Sequence, residues 1–207
     1  MITLRNTTTT HDFGKGSLCA SCHQGRTVSP FPVAGGDSIA VSGTRYGVHH
    51  GPQGNVIAGV GMGLFEVGEG LTNSAHASMT DACVTCHMAS PYGTQAGGHT
   101  MSMTYEYHGA AAVWAEGCAP CHTADEAHEL VEECQTEVKA LLVELKTLLD
   151  AAGVTKPGSD SSVSGTYTAE VAGACLNYKA LSEDGSFGVH NPKYVKKLLK
   201  NNIASLQ

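Results

Sequence analysis

Three times the chain spells Cys-x-x-Cys-His: Cys19-Ala-Ser-Cys22-His23, Cys83-Val-Thr-Cys86-His87 and Cys118-Ala-Pro-Cys121-His122. With eight cysteines and eleven histidines in 207 residues, chance supplies roughly 0.02 such pentapeptides. Two thiols separated by two residues reach the two vinyl groups on one edge of a haem, and the next residue then lies beneath the iron, where its imidazole binds. A zinc ribbon takes Cys pairs in twos and leaves one of three unmatched. A thiol-redox site occurs once, beside a βαβ pattern that is absent here. The motifs therefore imply three haem c groups attached through Cys19, Cys22, Cys83, Cys86, Cys118 and Cys121, with His23, His87 and His122 as proximal iron ligands.

The rest of the sequence is organised as if it needed them. Phe, Trp and Tyr number 4, 1 and 7 against 25 Gly, so few large side chains exist to fill a core. Residues 1–125 carry all three motifs and are Gly-rich, with turn signals at Pro30, Pro32, Gly35-Gly36, Gly51-Pro52 and Gly97-Gly98. This segment reads as loops and short helices wrapped around cofactors that serve as its core. Residues 126–207 differ. Leu130, Val131, Cys134, Val138, Leu141, Leu142, Leu145, Leu148 and Leu149 recur at helical spacing, with Gly153 where a C-terminal cap belongs. A second helix is expected over about 166–181 and a third over 192–205, with Asn191 as N-cap and Pro192 at the first helical position. The fold class expected is mainly α with a high fraction of irregular loop, the long helices in the C-terminal third packing on the haems as one cooperative unit.

A net charge of −7 argues against a nucleic-acid partner. No run is long and apolar enough for a membrane span or a secretory leader. Covalent haem attachment takes place outside the cytoplasm, so an exported protein, periplasmic or extracellular, is expected, in mature or trimmed form. In that oxidising setting the leftover Cys134 and Cys175 read as a disulfide, with a pair of buried free thiols as the alternative.

Six-coordinate irons need three distal ligands, and eight histidines remain: 11, 49, 50, 76, 99, 108, 128 and 190. His49 and His50 are neighbours in an apparently extended turn, where successive side chains point apart, so at most one should face a given haem. His128 lies off its helix's apolar stripe and reads as solvated. His190 precedes a helix start that would hold it still. His76 stands seven residues before Cys83, and His99 follows two glycines that permit close approach. Met62, Met79, Met88, Met101 and Met103 are the other available ligands, but the histidine surplus favours bis-His coordination.

The strings Cys19-Ala-Ser-Cys22-His23-Gln24-Gly25-Arg26, Gly47-Val48-His49-His50-Gly51-Pro52-Gln53, Cys83-Val-Thr-Cys86-His87-Met88, Gly98-His99-Thr100-Met101 and Gly188-Val189-His190-Asn191-Pro192 resemble multihaem c-type cytochromes, in particular the branch related to the ammonia-forming nitrite reductases. The resemblance implies distal roles for His49, His99 and His190, with His76 as a fourth matching position. Four candidates for three irons imply that one is free, or serves a haem in a neighbouring subunit or an upstream segment. The reductases place their open haem on a Cys-x-x-Cys-Lys motif, which this chain lacks. The expected role is therefore electron transfer with redox partner proteins or extracellular acceptors, without enzyme activity. A conductive filament, in which His11 or His76 is passed to the next copy, is a second expectation. Reduction of nitrite, hydroxylamine or a sulfur oxyanion is the alternative.

Overall fold

The helical spacing after residue 125 becomes three helices in the computed structural model, which describes residues 1–207. The long one, α4, spans Ala124–Ala151 in a chain whose earlier helices are short: α1 (Ser17–Cys22), α2 (Gln53–Ala58) and α3 (Cys83–His87). Its start is fixed by a capping box. Thr123 Oγ1 accepts from the Glu126 N–H, and the Glu126 carboxylate takes the Thr123 N–H at 2.8 Å. Its end is a Schellman turn at Gly153, φ +75°, with the Val154 N–H reaching back to Leu149 O at 3.2 Å. The face carrying Cys134, Val138, Leu142, Leu145 and Leu149 is buried.

Against it lie α5 (Ala169–Asp184) and α6 (Pro192–Ser205). Helix α5 begins three residues later than the sequence suggests, because Thr168 caps it by accepting from the Val171 N–H. It is buried on nearly every side, the position of a central helix. Gly173 costs about 1 kcal/mol of helix propensity relative to Ala, yet a methyl there would sit 2.2 Å from the Phe65 ring. The glycine lets that buried ring lie on the helix backbone. Asn177, one turn on, ties the same loop by bonding both Phe65 N–H and Phe65 C=O.

Asn191 occupies the N-cap of α6 with Pro192 at the first turn, but its side chain makes no cap bond. Instead Oδ1 accepts from the Ser74 N–H at 2.8 Å, and Nδ2 donates to Ile57 O and Asn73 Oδ1 at 3.2 and 3.1 Å. This fully buried amide knots three distant segments together next to His190. Asn191→Ala is expected to lower stability by roughly 2–4 kcal/mol, since it strands buried backbone groups without partners; chemical denaturation of the holoprotein checks this.

Helix outweighs strand, 43% to 13%, and the strands form only two-stranded ladders. These are β1 (Ile2–Thr3) with β2 (Thr10–His11), β3 (Ile39–Val41) with β8 (Gly165–Tyr167), β4 (Thr104–Tyr107) with β5 (Ala110–Val113), and β6 (Thr155–Lys156) with β7 (Ser159–Ser162). The β4–β5 hairpin was not expected from sequence. Its two-residue turn, His108-Gly109, has φ +51° and +82°, the left-handed pair that matches strand twist. The Thr-rich N-terminus folds back as β1–β2, and the His11 ring rests on Phe13, centroids 4.5 Å apart.

The larger core combines α4, α5 and α6 with Val28, Ile39, Val41, Val48, Val56 and Leu64. The chain before residue 125 thus contributes to the same core as the helices, and the change of texture there is not a core boundary. A smaller cluster joins Leu4, Phe13, Ala20, Ile57, Ala58, Met62 and Ala82. From Cys83 to Glu126, by contrast, the buried residues are Ala96, Gly97, Ala115 and Gly117, none with a side chain larger than methyl.

The expected disulfide is not formed. Cys134 and Cys175 are separate buried thiols. Cys134 Sγ lies 3.8 Å from Phe187 O and Cys175 Sγ 3.8 Å from Ser162 Oγ, because α4 and α5 turn them toward different neighbours.

Candidate haem sites

Each attachment motif sits on a single helical turn. Cys19 and Cys22 lie on α1 with His23 at its C-cap; Cys83, Cys86 and His87 make up α3; Cys118 ends a 3-10 turn (Ala115–Cys118), and Cys121 and His122 lead into Thr123, the cap of α4. One turn is what the spacing requires, since it puts the two sulfurs on one side of the backbone. All six thiols are free and none is buried outright, so they are reachable for thioether formation.

The three turns touch in a row with α3 in the middle. At its N-terminal end, a methyl on Gly16 would stand 3.1 Å from Cys83 N, and the Cys19 thiol neighbours that of Cys83. At its C-terminal end Gly117 presses so closely that an added methyl would lie 2.6 Å from Cys86 Cα, and Cys86 Sγ is 3.9 Å from Gly117 O. Burial pushes the Cys86 thiol up to about 11, and the neighbouring thiols of Cys118, Cys83 and Cys121 act in the same direction. Burial raises Cys83 and Cys118 as well. No three cysteines come together at metal-ligand spacing; the one cluster of such donors is His49, His50 and Glu183.

The histidines are oriented in a consistent way. His87 Nδ1 lies 2.8 Å from Met101 O, His76 Nδ1 2.8 Å from Val189 O, His190 Nδ1 2.7 Å from Asp184 Oδ1 and His23 Nδ1 3.3 Å from Gln53 Oε1. Holding Nδ1–H on an oxygen fixes the ring and leaves Nε2 for a metal, the usual arrangement around metal-bound histidine. The His87 and His190 ring centroids lie 6.2 Å apart, their planes tilted by 46°. Metal–nitrogen bonds of about 2.0–2.1 Å plus the ring radii put two imidazoles on opposite sides of one ion at roughly 6 Å. The His87–His190 spacing fits two imidazoles that would share one iron. Burial lowers the basicity of His190, but the charge and hydrogen bond of Asp184, whose side chain is 1% exposed, carry the net shift upward.

His49 and His50 depart from expectation. They do not diverge: their rings stack at 3.9 Å, and both Nδ1 atoms face Glu183, at 3.6 and 2.9 Å. The reason is backbone conformation, φ +36° and +68°, which is left-handed rather than the extended form in which neighbours alternate. Sequence gave no sign of the Glu183 partner, 133 residues away. His99 is exposed on a 3-10 turn (Gly98–Thr100), and His128 is exposed on α4. Of the alternative methionine ligands, Met62 is in the smaller core, 2% exposed.

A small-residue stretch between Cys83 and Glu126, thiols on one side of single turns and imidazoles with Nε2 left free all fit haem. No protein-family model matches the sequence, and no curated protein matches it either. Among solved structures the chain is similar to the outer cell wall cytochrome OcwA, at 26% identity over 76% of this chain, with a TM-score of 0.51. The chain spans 30% of the length of that cytochrome. No helix is long and apolar enough to cross a membrane.

Proposed function

We propose that this chain relays electrons through three haem c groups and performs no substrate chemistry. The observation that carries the reading is the contiguity of the attachment turns, Gly16 and Cys19 on Cys83 at one end of α3 and Cys86 on Gly117 at the other. When bound, haem supplies one-electron exchange between ferric and ferrous iron. The protein's own residues do the rest. Cys19/Cys22, Cys83/Cys86 and Cys118/Cys121 fix the three groups covalently; His23, His87 and His122 ligate them; Met101 O, Gln53 and Asp184 orient the rings. His190 completes the middle site, which leaves no position there for nitrite or hydroxylamine. His49, His76 and His99 are the proposed sources for the outer sites.

Export to the periplasm or cell exterior follows from the attachment chemistry, and the similarity to OcwA, an outer cell wall cytochrome, supports it. The relation to the nitrite reductase branch rests on the quoted strings. Polymerisation, with His11 or His76 passed to a neighbouring copy, is a second proposal: the His76 Nδ1 bond to Val189 O leaves its Nε2 free, and negative-stain microscopy shows filaments or their absence.

Pyridine haemochrome quantitation with optical spectra of the ferrous protein tests the whole reading. Three haems per chain, all low-spin and inert to carbon monoxide, are expected. A high-spin haem that binds carbon monoxide or nitrite transfers the reading to a reductase.

A further inference from the structure

We infer that Asp184 holds the potential of the middle haem, on Cys83, Cys86, His87 and His190, below those of the two others; the inference rests on the haem reading above. The three sites differ in what their axial rings lean on. His87 bonds a neutral backbone carbonyl and His23 a neutral amide oxygen, whereas His190 bonds a carboxylate; His49, proposed for an outer site, also faces one, Glu183 at 3.6 Å, but that carboxylate is 31% exposed and shared with His50. That carboxylate is almost wholly out of water, its side chain 1% exposed, and its one ionic partner is His190. No lysine or arginine offsets it. Its other bonds come from Ser186, whose hydroxyl donates to Oδ2 and whose N–H does so at 3.3 Å.

Two effects then act in the same direction. A hydrogen bond from Nδ1–H to a carboxylate makes Nε2 a stronger donor to the metal. A fixed negative charge in a dry site favours the iron state with more positive charge, the ferric one, because little solvent screens it. Position adds a consequence. Since α3 touches the first attachment turn at one end and the third at the other, the low-potential haem is the central one, and electrons at rest occupy the outer pair.

Spectroelectrochemical titration of the purified holoprotein, with haem content and spin state measured on the same samples, tests this. Asp184→Asn keeps the size of the side chain and removes its charge. One midpoint of three is expected to rise by about tenfold in the ferric/ferrous equilibrium, about 59 mV for one electron, with the spectrum still low-spin. Glu170→Gln, which removes the same charge from the other end of α5, is expected to leave that midpoint in place. Ser186→Ala strips Asp184 of its hydroxyl donor, concentrates the charge on His190 and is expected to move the same midpoint downward; it keeps the test open should Asp184→Asn fail to mature. Three low-spin haems whose midpoints do not respond, or respond equally to Glu170→Gln, overturn the inference and leave the electron-transfer reading standing. A wild-type chain without haem overturns both.

Discussion

Replacing His190 with alanine is expected to open one haem in three to carbon monoxide. On the proposed reading His87 and His190, whose rings lie 6.2 Å apart, would both ligate the middle iron, and the ferrous form would then offer no position to an exogenous ligand. With the imidazole gone, that iron becomes five-coordinate and high-spin, and carbon monoxide binds it while the others keep their low-spin spectrum. The binding stoichiometry goes from none to one per chain. His128→Ala, on an exposed helix face, is the control and binds none. The substitution has a structural cost too, because the buried Asp184 carboxylate loses the Nδ1–H donor of His190. A loss of about 3 kcal/mol is expected for a broken buried pair, read as a lowered thermal midpoint independent of carbon monoxide. If every haem of His190→Ala stays low-spin, His190 is not the distal ligand.

The second large effect is expected at Gly117. It carries no chemistry, and a methyl there would stand 2.6 Å from Cys86 Cα and 2.8 Å from Cys86 O. Those are backbone atoms of the central attachment turn, and they cannot rotate away. Overpacking of this kind costs about 1–3 kcal/mol, which for a chain of this size lowers the melting temperature by roughly 2–12 °C. Its functional cost is larger than its thermal one, because the displaced turn carries both Cys86 and His87. Gly117→Ala is expected to separate the second and third haems and slow electron exchange between them, measured as slower intramolecular equilibration after flash photoreduction. Gly109→Ala, where an added methyl meets nothing, strains only the exposed hairpin turn and leaves exchange unchanged. An unaltered exchange rate in Gly117→Ala contradicts the row of haems.

What could be read from the chain was local and repetitive. The attachment pentapeptides are short-range chemistry, and α4 is a long apolar stripe closed by Gly153, so both were legible without tertiary information. The helix start beside His190 was legible for a related reason: Asn191 and Pro192 mark it, and α6 begins at Pro192. What failed depended on long-range partners or backbone choice. Nothing near His49 and His50 announces Glu183, and nothing in Gly47-Val48-His49-His50-Gly51 says that both histidines are left-handed. Asn191 looked like a cap and proved to be a knot, because its partners Ser74 and Ile57 are distant in sequence. The leftover cysteines invited pairing by arithmetic, but a bridge needs two Sγ atoms in contact, and helices α4 and α5 turn theirs apart. The β4–β5 hairpin was missed although its alternating Thr104-Tyr105-Glu106-Tyr107 and its His108-Gly109 turn are both strand signals; the expectation of haem-wrapped loop hid them.

Covalent attachment at all three motifs is the claim on which everything else depends, and the mass of the intact chain, measured under denaturing conditions, reads it directly. Noncovalent groups are lost there and thioether-linked ones are not. The account predicts a mass above the 21.4 kDa polypeptide by three haems. The bare polypeptide mass, or a chain that binds zinc in place of haem, would contradict it.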